Sequence, residues 1–156
     1  MKKTFFLLMV SLFAVAAFAQ TGMFDLSYGQ NIEDAHKALL AKGFKVVEQL
    51  APTTEYSNKS VPNLISLKVR DAEDNGTISG WTIKYQVDGD QDKIDKFVTD
   101  LDALQGVTSY YDDWFGEWVW VLDNYNAIYM SLSLEEVFLT IDYTVYDDSA
   151  DYYDWW

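Results

Sequence analysis

The sequence predicts an α+β fold, an antiparallel sheet with helices on one face, and three observations predict it. Segments of apolar and polar alternation, LISLKVR and WTIKYQV among them, are bounded by turn residues. Two stretches, after Asn31 and after Asp90, repeat apolar residues at helical spacing. The order of one helix followed by four strand-like segments occurs twice.

Ahead of these elements stands MKKTFFLLMVSLFAVAAFA, with Lys2 and Lys3 before an uncharged apolar run and Ala17-Phe18-Ala19 at its end. That is the pattern of a secretory signal peptide, residues 1–19, cut before Gln20. The run is short for a membrane span, and no later segment approaches the roughly 20 apolar residues that one needs. A secreted or periplasmic protein without a membrane span is therefore expected. The chain has no cysteine, which excludes disulfides, a lipid-modified N-terminal cysteine and thiolate nucleophiles. Two of the 11 Lys and Arg leave with the signal peptide, so nine cations face 25 acids, a balance of −16. Such a field repels nucleic acid and anionic membranes and favours cationic partners or metal ions. Aromatic residues reach 17% of the chain, enough to expect a packed core despite the charge.

In the first helix Asn31 is the expected cap, and Glu33 and Asp34 lie where the helix dipole favours acids. Ile32, Ala35, Leu39 and Leu40 share its apolar face, and Gly43 ends it. FKVVEQL reads as a strand. Pro52 and the polar run Thr53 to Pro62 read as a turn with one irregular strand. In LISLKVR the alternation turns Ile65, Leu67 and Val69 to the core and Ser66, Lys68 and Arg70 away. Asp74-Asn75-Gly76 is a hairpin turn signal. Its partner strand buries Trp81, Ile83, Tyr85 and Val87 and presents Thr82, Lys84 and Gln86. The second helix has the stripe Ile94, Phe97, Val98, Leu101 and Leu104 and is closed by Gly106. VTSYY, EWVWVL, AIYMSLS and VFLTIDYTVY follow as strands, with turns at Asp112-Asp113, Asp123-Asn124 and Glu135-Glu136.

WTIKYQVDGD, from Trp81, and LTIDYTVYDD, from Leu139, share Thr, Ile, Tyr, Val and the last Asp at a constant offset. The expectation is an internal duplication, with a first unit at 20–88, a second at 89–146 and an acidic aromatic tail at 147–156. From Asn31 to Tyr146 this organisation resembles the tandem repeat of β-lactamase inhibitor proteins and, more loosely, the PepSY-type modules of secreted bacterial proteins. LSYGQNIEDAHKALLAKGF, Leu26 to Phe44, also resembles the opening of small secreted bacterial proteins. The resemblance implies binding through a sheet face or loops rather than catalysis. The inhibitor's disulfides have no counterpart here.

Asp88, Asp90 and Asp92 begin like a calcium loop, but Lys93 stands where glycine is needed and Thr99 where a bidentate acid is needed. A strand end followed by a helix cap is the favoured reading. Asp71, Glu73, Asn75 and Gly76 fit better until Thr82 at the twelfth place, so a hairpin turn is favoured, with a weak calcium site in either loop as the alternative. His36, the only histidine, lies at the edge of the core and reads as structural. No zinc-ligand set, nucleophile elbow or phosphate cradle is present. Neither a cofactor, a resident metal nor an enzyme activity is expected, although 25 acids would allow a carboxylate pair.

The binding residues expected from the alternation are Lys68, Arg70 and Lys84 on the outer face of the first half and Tyr129, Phe138 and Asp142 on that of the second. Ser131, Thr140, Thr144 and Tyr146 accompany them. Trp114 joins the set at the tip Asp113-Trp114-Phe115-Gly116, whereas Trp118 and Trp120 are assigned to the core. Outward aromatic rings are common interface anchors, so a module for a protein partner, inhibitor-like in action, is the expected function. A glycan stacked on Trp or Tyr beside Asp is the alternative ligand. The tail, YDDSADYYDWW, is expected to fold back on the domain or to dock elsewhere.

Overall fold

A computed structural model describes residues 21–72 and 75–145. The expected signal peptide and tail, together with Glu73, Asp74 and Tyr146, lie outside the described residues. In chain order come a 3-10 turn (Met23–Asp25), helix α1 (Ile32–Ala41), strands β1 (Lys45–Leu50), β2 (Thr53–Ser57), β3 (Leu64–Asp71) and β4 (Ile78–Gln86), helix α2 (Gln91–Gln105), and strands β5 (Tyr110–Asp112), β6 (Glu117–Val121), β7 (Asn126–Leu132) and β8 (Phe138–Val145). The strands form one antiparallel sheet in the order β1-β2-β3-β4-β8-β7-β6-β5. The α+β class is thus as expected, with all eight strands in a single sheet.

The connections explain that order. Short turns join successive strands within β1–β4 and within β5–β8, which makes each run a meander. Between the runs lies α2, whose 15 residues make it about 22 Å long. Four strand spacings separate β4 from β5, about 19 Å. The helix therefore carries the chain across the sheet to its far edge, and the later strands return until β8 meets β4. There Ile83 stands opposite Ile141, Thr82 opposite Asp142 and Trp81 opposite Tyr143.

Local sequence sets the helix ends. Asn31 accepts hydrogen bonds from the backbone N–H groups of Glu33 (3.0 Å) and Asp34 (3.1 Å), capping α1. Asp90 accepts from Lys93 N (3.3 Å) and caps α2, whose other end is closed by Gly106 at φ 69°. The hydrogen bond from Lys93, followed by burial acting in the opposite direction, leaves the Asp90 carboxyl below its usual range. Both helices lie over one sheet face. His36 of α1 meets Tyr56, Phe97 of α2 meets Tyr85, and Asp102 of α2 accepts from Trp120 Nε1 at 2.7 Å.

Four expectations need correction. Leu40 and Leu104 are exposed, because Ala35 and Leu39 in α1, and Ile94 and Leu101 in α2, already fill the narrow stripe that touches the sheet. Ile65 is exposed as well. The register jumps from Leu64 opposite Tyr85 to Ser66 opposite Lys84, so Ile65 is the extra residue of a bulge and Leu64 packs against the core instead. The run after Pro52 is a regular strand, β2, paired on both sides, where an irregular one was expected.

Trp81 stacks on Tyr143 with ring centroids 4.3 Å apart and planes 17° apart, and Tyr28 lies 5.0 Å from Trp81. Tyr28 Oη donates to the carbonyls of Ala127 (3.2 Å) and Thr144 (3.1 Å), while Tyr143 Oη accepts from Met23 N (3.2 Å). The N-terminal segment thus lies against the β4–β8 junction. A Cβ at Gly22 would overlap both rings of the stack. On the other face, a Cβ at Gly80 would overlap the Tyr143 carbonyl and the Arg70 guanidinium.

Two outcomes follow from this packing. Gly80→Ala is expected to lower stability by about 2 kcal/mol, because the backbone and Arg70 must both shift. A thermal melt within error of the parent's would overturn that. Burial raises the phenol of Tyr28 and of Tyr143 far above the usual value and that of Tyr85 to about 12. Since the unfolded phenols ionise near 10, the stability these groups contribute is complete below about pH 10 and is lost as the pH rises through the folded values. The melting temperature should therefore fall steeply above pH 10, a fall that replacement of Tyr85 by Phe should lessen.

Candidate binding face

The face that the helices leave uncovered is crossed by continuous rows of paired residues. One row runs Glu55, Lys68, Thr82, Asp142, Tyr129, Val119 and Tyr110 from β2 to β5. A neighbouring row runs Ser66, Lys84, Thr140, Ser131, Glu117 and Asp112. Pairing across strands, rather than proximity in sequence, brings these groups together.

At the junction of the meanders Arg70 reaches from β3 across β4 to β8. Its Nη1 donates to Thr82 Oγ1 (2.7 Å) and Asp142 Oδ1 (3.0 Å), and its Nη2 donates to the Tyr143 carbonyl (2.9 Å). Thr82 Oγ1 in turn donates to Asp142 Oδ1 at 2.6 Å. Gly80 makes this crossing feasible, because it is Arg70's register partner and has no side chain in the path. Lys68 Nζ lies 3.3 Å from the Glu55 carboxylate, and Lys84 Nζ lies 4.3 Å from the centre of the Phe138 ring. All three cations expected to offer charge to a ligand are therefore engaged within the sheet face.

The structure brings six of the seven expected site residues onto this face: Lys68, Arg70, Lys84, Tyr129, Phe138 and Asp142. Trp114 stands apart, on the turn between β5 and β6, and is 87% exposed. That turn is tightly fixed. Asp112 Oδ1 accepts from Trp114 N (2.8 Å) and Phe115 N (3.2 Å), the Asp112 carbonyl accepts from Gly116 N (2.8 Å), and Gly116 has φ 71°. Trp120 is buried and Trp118 packs against the core edge, 4.9 Å from Tyr111, as expected of both.

Reasoning from sequence missed Phe115, Tyr110 and Tyr111, which are also exposed, and Glu55, which holds Lys68. Phe115 carried a signal, its place beside Trp114 in a turn. Glu55 carried none, because its role depends on β2 being paired with β3. Glu117 was equally silent. Burial, followed by the carboxylates of Asp112 and Asp142, raises its carboxyl above the usual range.

The acidic loops and the histidine have structural roles. Asp88 accepts from Gln86 Nε2 (2.9 Å), Asp90 caps α2, and Asn75 accepts from Thr77 N (2.9 Å) in the β3–β4 turn. Among the described residues, no group of three or more His, Asp or Glu is placed to hold a metal ion. His36 Nδ1 lies 3.0 Å from the Tyr56 hydroxyl, beside a cavity of about 310 Å³ lined by Ile32, Glu33, Gln49 and Thr54 among others. Among the described residues no helix is long and apolar enough to cross a membrane.

Comparison with known proteins finds no family model, no curated protein and no solved structure that matches the chain.

Arg70 and Asp142 should behave as a coupled pair. In a double-mutant cycle with Arg70→Met and Asp142→Asn, a coupling of about 1 kcal/mol is expected for a pair this exposed. Additive losses in urea denaturation would show that the bridge does not hold the junction.

Proposed function

We propose that the chain is an exported, non-enzymatic binding module that takes a protein partner on the uncovered sheet face, with the β5–β6 turn as its anchor. The observation that carries this reading is Trp114, an 87% exposed indole on a turn whose backbone is held by hydrogen bonds to Asp112. An exposed ring carried on a fixed backbone has only its side-chain torsions to lose on binding, which is the character of an interface anchor. Export rests on residues 1–19, with Lys2 and Lys3 before the apolar run. The non-enzymatic part is supported by His36, whose Nδ1 is engaged with Tyr56, and by the turn-holding role of the Asp112 carboxylate.

The division into related units at 20–88 and 89–146, and the likeness to the repeat of β-lactamase inhibitor proteins, belong to the same proposal. The register supports it. Ile83 and Ile141 occupy the same place in WTIKYQ and LTIDYT, and they stand opposite each other across β4 and β8. Trp81 and Leu139 are equivalent too, and each faces the other copy's Tyr, Tyr143 and Tyr85. Two copies related by a two-fold would pair in this way.

A glycan is the second reading, favoured by Trp114 beside Asp113, since a flat ring and a carboxylate together suit a sugar face and its hydroxyls. A glycan array separates it from a protein partner.

The test is the paired substitution Trp114→Ala with Phe115→Ala. Stability should change by no more than about 0.5 kcal/mol, because both rings lie largely in solvent. Capture of partners from the envelope of the producing cell should be lost. Retention of the same partners by the variant would sink the anchor role.

A further inference from the structure

Four exposed aromatic groups collect at one margin of the sheet, while a fifth, Tyr125, lies on the β6–β7 turn. Trp114 and Phe115 occupy the β5–β6 turn, and Tyr110 and Tyr111 lie on β5, the strand at that edge. Exposures of 87%, 61%, 51% and 49% make this an apolar margin that a folded chain leaves uncovered. Its charge identifies the occupant.

After Lys96 the sequence contains no Lys, Arg or His. Strands β5–β8 and their turns therefore present carboxylates alone, and Arg70, bonded to Asp142, reaches in from the other half. Next to the aromatic margin Glu117 stands directly opposite Asp112, and Asp113 is exposed in the turn. Partial burial, followed by the carboxylates of Asp112 and Asp142, raises the Glu117 carboxyl above its usual range, so a cation brought beside it would favour its ionised form.

A second copy of this chain does not supply that counter-charge. Of its nine cations beyond residue 20, seven already sit against its own carboxylates or, for Lys84, a ring. Its net charge would add repulsion. A neutral sugar would cover the rings but leave the carboxylates unrelieved. An arginine satisfies both, because a guanidinium stacks on an aromatic face while donating to a carboxylate.

Resting on the binding-module reading, we infer that the margin formed by Tyr110, Trp114 and Phe115, on the side of the sheet that carries Glu117, docks an arginine-bearing segment of another protein. Its guanidinium groups lie on these rings and against the carboxylates of Glu117 and Asp113.

The experiment titrates the chain with a synthetic peptide of alternating Arg and Thr and with its citrulline counterpart, which keeps the shape and removes the charge. Binding is read by calorimetry at two salt concentrations. The arginine peptide should bind at least about tenfold more tightly than the citrulline peptide, and more weakly at higher salt. Trp114→Ala with Phe115→Ala should weaken it at least about fivefold, and Glu117→Gln at least about threefold. Glu33→Gln, the same change of charge on α1 at the opposite side of the sheet, should leave it within about twofold. Equal affinity for the two peptides, no binding of either, or an equal effect of Glu33→Gln and Glu117→Gln overturns the inference. A neutral or acidic protein, or a glycan, held through Trp114 and Phe115 would also overturn it while leaving the binding-module reading standing.

Discussion

Along β4 and β8 two meanders become one sheet, and that junction is clamped on both faces. On the covered face Trp81 stacks on Tyr143, and the segment from Gly22 to Tyr28 lies against the pair. At the adjacent pair, on the open face, Thr82 stands opposite Asp142 and Arg70 bridges to both. The alternation of side chains along a strand makes this double clamp possible, since neighbouring residues must point to opposite faces. Everything on the open face is positioned through it. If β8 shifted by one residue against β4, Asp142 would turn inward and Tyr143 outward, and both clamps would fail together.

The junction also divides the molecule electrostatically. On the β1–β4 side, cations are matched locally: Lys68 with Glu55, Lys42 with Asp25, Lys37 with Asp34. On the β5–β8 side no cation is supplied by the chain after Lys96, and burial is borne by aromatic rings instead. Each pair at the surface contributes little to stability. Together they engage most of the positive charge of one half, and the other has none of its own, which is why the exposed rings at β5 lie in a negative field.

Much of this could be read along the chain. Periodicity placed both helices and the strands at LISLKVR, WTIKYQV and the four later segments, and Asn31, Asp90 and Gly106 marked helix ends. The six site residues expected on the open face lie there, because strand alternation is a local property. The failures were non-local. Ile65 broke its own alternation because pairing with β4 inserts a bulge, and TTEYS looked irregular because its partners, β1 and β3, lie outside it in sequence. Leu40 and Leu104 were apolar at helical spacing yet remain exposed, since how much of a helix is covered depends on the sheet beneath it.

The amino-acid sequence by itself determined the elements, their alternating faces, the absence of thiol chemistry and the acidic second half, because each depends on residue type and near neighbours. Tertiary structure alone decided that β8 would lie beside β4, that Gly80 would leave a path for Arg70, and that the basic residues of the open face would be engaged there. Those outcomes depend on which strands pair and in what register. Pairing is settled by burial over the whole sheet, a sum to which residues sixty positions apart contribute as much as neighbours do.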